Sequence, residues 1–165
     1  MQISNTAPTQ SRIILVVDDE ETNLLILETY LTEAGYEVVT AENGAQAWDF
    51  IKLFGDGVSL ILLDRMMPVM DGIEFMKLLK GHRLYSDIPV IMQTAAALKE
   101  QVIECKNSGI YHYLRKTFEE ERLLQLVAEA MSGFRNLREI KRKNLCKNNS
   151  MIDTVADQDI FKNLD

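Results

Sequence analysis

Four of the apolar runs in this sequence end on side chains that can do chemistry. The run IILVV is followed by Asp18 and Asp19, LILL by Asp64, PVIMQ by Thr94, and YHYLR by Lys116. If these runs are parallel strands, their carboxyl ends meet at one sheet edge, which is where open α/β sheets bind ligands. Three carboxylates placed there repel one another and need a compensating cation. A few hard oxygen ligands beside a phosphate site favour magnesium over calcium or zinc.

Each of these residues also has an ordinary structural explanation when it is taken alone. Asp18 could cap a helix, Thr94 could belong to a turn, and Lys116 could be a solvated surface lysine. We prefer the functional interpretation because all of them fall at the same edge of one predicted sheet. The chain must turn sharply just after Asp64, since Pro68 cannot continue a strand.

The elements that position these side chains follow from the hydrophobic pattern. Apolar runs alternate with segments of helical period from residue 12 to about 131, which predicts a parallel sheet covered on both faces. The predicted strands are RIILVV, YEVVTA, SLILLD, IPVIMQ and YHYLR. The helical stripes are Leu24, Leu27, Leu31 and Ala34; Ala47, Trp48 and Ile51; Ile73, Phe75, Met76 and Leu79; Leu98, Val102 and Cys105; and Leu123, Leu124, Val127 and Met131.

Two of the predicted helices carry capping signals. Asn43 with Gln46, and Asp71 with Glu74, have the spacing of a capping box in which the first side chain accepts from the backbone three residues later. We therefore expect helices to begin directly after Asn43 and Asp71.

The composition is that of a globular protein. The chain has 165 residues, of which 47% are hydrophobic and 26% charged, and this predicts one domain plus an appendage. No apolar run approaches the roughly 20 residues that span a membrane. Residues 1–11 resemble no secretory signal, so we predict a polar leader and a cytoplasmic protein. Cys105 and Cys146 lack metal-ligand spacing and are expected to be thiols.

The net charge of −7 conceals an asymmetry along the chain. Residues 1–134 carry a net charge of −9 and residues 135–165 a net charge of +2. An acidic main domain argues against direct nucleic-acid binding by that part.

The motifs VVDDE, DRMMPVMDG, MQTA and SGIYHYLRK, with the five strand–helix units, resemble the response-regulator receiver domains of two-component signalling. The resemblance covers residues 12–131. It implies a flavodoxin-like three-layer α/β sandwich whose five parallel strands lie in the order 2-1-3-4-5. Outside the resemblance, we expect residues 1–11 to be a disordered leader and residues 132–165 to be a helical or partly disordered C-terminal extension or linker.

The family pattern assigns roles to the acidic residues. Asp64 is expected to be the phosphoacceptor. Asp19 and Asp64 are expected to bind Mg²⁺ directly and Asp18 mostly through water, with the backbone carbonyl of Met66 as a further ligand. A carboxylate nucleophile among other acids requires this metal to neutralise charge on the transferred group.

The same resemblance assigns the switch and the partners. Thr94 is expected to be the switch hydroxyl, Tyr113 the aromatic switch, and Lys116 the cation that pairs with the phosphate. The phosphoryl donor is expected to be a sensor histidine kinase or a histidine phosphotransfer protein, and the receiver of the signal a downstream output protein or a missing output domain. The chain is then a signalling domain that assists its own phosphoryl transfer and hydrolysis, not an enzyme.

Three positions depart from the family pattern. Thr117 stands where proline commonly follows the lysine, so we expect a trans peptide after Lys116, or else a strained cis exception. Thr117 with Glu120 has the spacing of a capping box and predicts a helix that begins near Thr117. Gln93 replaces an aliphatic residue, and we interpret it as reaching the surface. Ile110 replaces the usual alanine.

Other functions fit the sequence less well. A phosphorylation-independent receiver-like interaction module is the main alternative, although the complete set of acids argues against it. An aspartyl-phosphate hydrolase needs an acid two residues after Asp64, where Met66 stands. A flavin-binding flavodoxin needs a hydroxyl- and glycine-rich loop after the first strand.

The tail carries a weaker signal. Phe134, Leu137, Ile140 and Asn144 or Leu145 follow a 3–4 spacing that predicts continuation of the last helix as a short coiled coil. Such a helix starts beside the face that phosphorylation is expected to remodel, which makes a homodimer possible.

Overall fold

The structure is a computed structural model that describes residues 13–95 and 109–159. Within the last helix, Glu120–Asp159, it describes side chains as far as residue 144. The predicted leader, most of the helix predicted around Val102, and residues 160–165 lie outside the described residues. No helix in the described part is long and apolar enough to cross a membrane.

Five parallel strands form one sheet in the order β2-β1-β3-β4-β5, and this confirms the predicted topology. The predicted apolar runs match the observed strands to within two residues at each end. The three inner strands are continuous apolar runs because both of their faces are buried, whereas the two edge strands are partly exposed. The strands are β1 (Ile13–Val17), β2 (Glu37–Ala41), β3 (Val58–Asp64), β4 (Val90–Thr94) and β5 (His112–Arg115).

The described helices pack on both faces of this sheet. The last of them has 40 residues, which corresponds to about 60 Å at 1.5 Å per residue, and it runs through Ser132 and Gly133 without interruption. This confirms that the tail continues the helix. The helices are α1 (Glu21–Glu33), α2 (Gly44–Phe54), α3 (Gly72–Gly81) and α4 (Glu120–Asp159), with a short 3₁₀ turn at Gly55–Gly57.

Two predicted capping signals are confirmed. The side chain of Asn43 accepts hydrogen bonds from the backbone N–H groups of Ala45 and Gln46 at the start of α2. At the start of α3, Asp71 and Glu74 form a complete capping box. Each cap satisfies backbone donors that have no partner within the helix.

The capping box predicted from Thr117 is wrong. The helix begins at Glu120, and Thr117 has a left-handed φ of 72°, whereas a capping residue is extended. The described residues contain no cis peptide bond, so the bond between Lys116 and Thr117 is trans, as expected.

An apolar layer lies between the sheet and the helices on each of its two faces. On one face, Leu24, Leu27 and Leu31 of α1 pack with residues of α4. On the other face, buried residues of α2 and α3 pack together. Ala34 was predicted in the α1 stripe but is exposed, because the helix ends at Glu33. The main buried residues of the second face are Ala47, Ile51, Phe75, Met76 and Leu79.

Helix α4 passes from one layer to the other across the amino ends of the strands. Residues as far as Ala130 belong to the α1 side, whereas Phe134 is buried in the opposite layer together with Val58 and Ile110. The extension of α4 therefore leaves the domain at the end of the sheet that lies opposite Asp64.

Two polar contacts hold this extension against the body. Arg138 Nη1 donates to the backbone oxygen of Asp56 at 3.0 Å. One turn further along, Lys141 pairs with Asp87. Both partners lie in loops that precede a strand, which fixes α4 across the amino ends of β3 and β4.

Candidate functional site

The carboxyl ends of β1 and β3 bring three carboxylates together, as predicted. Asp18 is fully buried and Asp64 is 4% exposed, while Asp19 faces solvent. These strands are neighbours in register, with Val17 opposite Leu63, so Asp18 and Asp64 follow at adjacent positions. Oxygen atoms of the three carboxylates lie within 4.8 Å of one another.

Lys116 neutralises part of this charge. Its Nζ lies 3.0 Å from Asp18 Oδ2 and 2.9 Å from Asp64 Oδ1, so one ammonium group bridges two buried acids. The backbone N–H of Lys116 donates to the carbonyl of Thr94 at 2.8 Å, and this bond fixes the residue after β5 against the end of β4. The trans bond to Thr117 therefore leaves the lysine at the predicted site.

The environment shifts both partners of this ion pair. Burial raises the pKa of Asp64 above its ordinary value of 3.8, and the hydrogen bond and charge of Lys116 only partly oppose that effect. Burial lowers the pKa of Lys116, but its hydrogen bonds to Asp64 and Asp18 outweigh burial and leave the pKa above 10.5. Lys116 is therefore charged at neutral pH, and a further cation would favour ionised Asp64.

The chain turns back immediately after Asp64. Asp64 Oδ2 accepts a hydrogen bond from the Met66 N–H at 3.2 Å, and the Gly72 N–H donates to the Arg65 carbonyl at 3.0 Å. A Cβ at Gly72 would lie only 2.3 Å from the Asp64 carbonyl oxygen, so the close return requires glycine. Val69 in this loop has a left-handed φ of 69° and is exposed. The role of the Met66 carbonyl as a metal ligand stays a prediction.

Thr94 and Tyr113 lie on the two strands next to the acidic site. Thr94 is the buried last residue of β4, and its neighbour Gln93 pairs in register with Asp64. Tyr113 lies on β5 opposite Met92 and packs partly buried against the layer of α2 and α3. The structure thus brings Thr94 to the same sheet edge as Asp64, while the switching roles of Thr94 and Tyr113 stay predictions.

Asn23 is a site residue that sequence reasoning missed. Its Nδ2 lies 3.3 Å from both carboxylate oxygens of Asp18 and 3.1 Å from Glu20 Oε2. The Glu20 N–H also donates to Asp18 Oδ1 at 3.0 Å. The signal that could have found Asn23 is its place in the first turn of a helix that directly follows a buried acid.

The interpretation of Gln93 as a surface residue is wrong. Its side chain is 1% exposed, because β4 is an inner strand, and its Nε2 has no hydrogen-bond partner among the described residues. Gln93 borders a cavity of about 280 Å³ that Lys116, Asn23 and Tyr30 also line. The polar face of the site therefore extends from the acids toward α1.

The donor set of this site fits a hard divalent cation. Asp18, Asp19 and Asp64 offer only carboxylate oxygens, which are the ligands that Mg²⁺ prefers and which suit softer metals poorly. Asp19 remains open to solvent, so an ion can reach the cluster. The described geometry is thus compatible with the predicted magnesium site.

The comparisons with known proteins agree with this geometry. A family model described as the response regulator receiver domain matches residues 14–128. This chain belongs to the response regulator receiver domain family. Among similar receivers, a chemotaxis protein CheY homolog of Campylobacter jejuni is 34% identical over 119 residues, which are 72% of this chain and 91% of that protein.

Solved receiver structures have the same fold. The chemotaxis response regulator CheY4 of Vibrio cholerae is 32% identical, with a TM-score of 0.66 over 72% of this chain and 97% of that one. The signal receiver domain of a signal transduction histidine kinase from Syntrophus aciditrophicus is 31% identical, with a TM-score of 0.67 over 73% of this chain and 90% of that one. The match to these receivers confirms the flavodoxin-like architecture.

Proposed function

We propose that this receiver accepts a phosphoryl group on Asp64 from a histidine kinase or a histidine phosphotransfer protein and thereby switches a partner or output domain. The observation that carries the proposal is the ammonium of Lys116, held 2.9 Å from Asp64 and 3.0 Å from Asp18. Its ammonium group lies between two buried acids, so it can stabilise the negative charge that a phosphoryl group brings to Asp64.

Each residue of the site has a separate role in phosphoryl transfer. Asp64 is the carboxylate nucleophile, because it is the buried acid that the turn at Met66 and Gly72 presents at the sheet edge. Lys116 moves from bridging two acids to pairing with the new phosphoryl oxygens. Asp18 and Asp19 would hold Mg²⁺ together with Asp64, and the ion would neutralise charge on the transferred group.

Asn23 is part of this arrangement through Asp18. Its side-chain N–H group and the Glu20 N–H hold the Asp18 carboxylate in one orientation. An acid held by two donors needs little reorganisation when an ion binds. Asn23 is therefore a positioning residue and does not contact the phosphoryl group.

The switch follows from the charge that the reaction adds. Phosphorylation brings about −1.5 to −2 charge and new acceptor oxygens to Asp64. Thr94, at the end of β4, supplies a hydroxyl that moves toward these oxygens, and Tyr113 takes the vacated space. The surface around β5 and the first half of α4 then changes, and a partner or output domain reads that change.

The domain division is part of this proposal. Residues 12–131 form the receiver, and residues 132–165 form an extension whose first turn still packs Phe134 into the core of the receiver and whose helical part is described as far as Asp159. The receiver assists its own phosphoryl transfer and hydrolysis but has no turnover on a separate substrate. Its output is a partner contact.

The experiment that tests the proposal is phosphorylation of the full chain by acetyl phosphate with Mg²⁺, followed by intact-mass spectrometry. The wild-type chain should gain one phosphoryl group, and Asp64→Asn should gain none, because an amide is not a nucleophile. The matched control is Asp49→Asn, since Asp49 is an exposed acid whose partner is Lys52.

Full labelling of the Asp64→Asn chain would show that another residue is the acceptor. Absence of labelling in a folded wild-type chain, from acetyl phosphate and from histidine kinases alike, would favour the phosphorylation-independent interaction module.

A further inference from the structure

The extension of α4 consists of two blocks of opposite charge. Residues 135–147 contain six basic residues and one acid, a net charge of +5. Residues 148–159 contain three acids and no basic residue, a net charge of −3. Both blocks lie on one continuous helix, so the charges are separated along its axis.

This helix projects beyond the body of the domain. After the pairing of Lys141 with Asp87, α4 continues for eighteen residues to Asp159, which is about 27 Å at 1.5 Å per residue. Arg142, Lys143 and Asn144 at the start of the projection are exposed. A polar helix of this length has little stability in water unless one of its faces packs against a partner.

An apolar groove lies where the projection leaves the domain. A cavity of about 590 Å³ lies beside α4 at the amino ends of β4 and β5, and its walls include Pro89, Ile110, Tyr111, Phe134 and Leu137. Tyr111 is 48% exposed and Leu137 39% exposed. The basic block of α4 therefore borders apolar surface that is open to solvent.

We propose that two copies of this chain associate through their α4 projections in an antiparallel pair, with the basic block of one copy beside the acidic block of the other. A twofold axis between Asn148 and Asn149 places the two blocks side by side. Leu145 then lies level with the partner's Ile152, and Arg138 with the partner's Asp159. The two middle asparagines fall at the axis.

Charge decides the direction of the pair. In a parallel pair the two +5 blocks lie side by side and repel, as do the two −3 blocks. In the antiparallel pair the basic block of each copy lies beside the acidic block of the other copy, so there is one attractive contact at each end of the interface. Like-charge juxtaposition thus excludes one orientation and opposite charge favours the other.

The groove fits the same arrangement. After Asp159 the sequence continues with Ile160, Phe161 and Leu164. The antiparallel register brings the partner's Asp159 level with Arg138, next to Leu137 at the wall of the cavity. The apolar residues that follow Asp159 in the sequence are therefore the occupant proposed for this groove.

The first test is sedimentation velocity on the full chain at low salt with two charge-reversed variants. Asp153→Lys/Asp157→Lys and Arg142→Glu/Lys147→Glu should each weaken the dimer at least tenfold. An equimolar mixture of the two should restore part of the lost affinity, because the mixed pair regains attraction at one end of the interface. The matched control is Glu28→Lys/Glu33→Lys, which changes net charge as much as the first variant but on exposed positions of α1.

The two orientations differ in this test. A parallel pair predicts that Arg142→Glu/Lys147→Glu tightens the dimer, because it removes repulsion within the basic block. A wild-type chain that stays monomeric at low salt and high concentration, or a control variant that dissociates as readily as the reversed ones, overturns the proposal.

Pulsed electron–electron resonance gives the direction independently. With Cys105→Ser, Cys146→Ser and Asn136→Cys, one spin label sits on each copy at an exposed position of α4, in the turns before the projection. The antiparallel pair places the two labels about 40 Å apart along the axis, from 1.5 Å per residue. A distance below about 20 Å, as expected for helices packed side by side and parallel, contradicts the assignment.

Discussion

The two ends of the sheet are built in opposite ways. At the carboxyl ends, Asp18 and Asp64 are buried with one lysine between them, and the amide nitrogen of the neighbouring Gln93 is buried with no partner in residues 13–95 and 109–159. At the amino ends, Phe134 closes the core, and α4 is held across the strands by contacts to the loops. One end thus buries charge and the other buries an aromatic ring.

This difference indicates that the carboxyl ends of the strands serve function, whereas the amino ends provide stability. Buried charges cost desolvation free energy that one ion pair repays only in part, so the carboxyl end contributes little to folding. Burial of an aromatic ring contributes strongly, because it removes a large apolar surface from water. The amino end therefore supports a site that is poorly stabilised in itself.

The largest effect is expected from a substitution at the amino ends of the strands, and it tests whether this end carries the stability. Phe134→Ala should lower the free energy of unfolding by about 3–4 kcal/mol, because it leaves a cavity where a 7% exposed ring packed. Leu137→Ala, three residues away and 39% exposed, should cost less than about 1 kcal/mol. Urea unfolding measures both.

Labelling by acetyl phosphate under native conditions should remain in the Phe134→Ala chain, since Asp64 lies at the other end of the sheet. A cost as small as that of Leu137→Ala would mean that the amino end does not carry the stability assigned to it.

The second prediction concerns the turn at the carboxyl end. In Gly72→Ala a methyl group would lie 2.3 Å from the Asp64 carbonyl oxygen, so the loop must shift, at a cost of about 1–3 kcal/mol. The shift should slow phosphorylation of Asp64 because it moves the nucleophile. Gly81→Ala is the matched control, since it lies at the other end of α3 with no atom near the added carbon.

Time courses of acetyl phosphate labelling, together with unfolding curves, measure the effect of Gly72→Ala. Equal behaviour of the two glycine variants would contradict a close return of the chain over Asp64.

The smallest predicted effect concerns the stability cost of the charge on Asp64. Because burial holds the pKa of Asp64 above 3.8 in the folded state, the ionised group disfavours folding at neutral pH when metal is absent. Asp64→Asn should therefore be more stable than wild type in a chelator, by about 1 kcal/mol, the scale of one buried polar group.

This advantage should shrink as the pH falls through the raised pKa, since wild-type Asp64 becomes protonated there. Addition of Mg²⁺ should reverse the order, because the ion binds the folded wild-type site more tightly. Thermal unfolding at several pH values measures both trends, and a variant less stable than wild type in the chelator at every pH would contradict them.

The sequence was sufficient for the sheet and for the acids. Strands buried on both faces leave continuous apolar runs, and parallel strands bring their ends to one edge, so the parallel sheet and the grouping of Asp18, Asp19 and Asp64 followed directly. The strand order came from the family resemblance. Lys116 was found in the same way, because it ends an apolar run as the acids do.

The errors arose where local pattern and tertiary structure disagree. Thr117 has the spacing of a cap, yet the chain needs a left-handed turn there after Lys116. Gln93 was placed at the surface because it is polar, although an inner strand keeps it buried. Asn23 acts through Asp18, and no spacing rule for a ligand or nucleophile includes such a residue. The path of α4 across the amino ends depends on which layer Phe134 enters, and helical periodicity does not contain that information.

The position of Phe134 also determines when the domain can finish folding during synthesis. The residues that match the family model end at 128, so a nascent chain that has just completed this region still lacks the ring that closes its core. Chains fold from the amino end as they are made, at roughly 5–20 residues per second. The sheet can therefore form before its amino end is closed, and the core is complete only when Phe134 has also been translated.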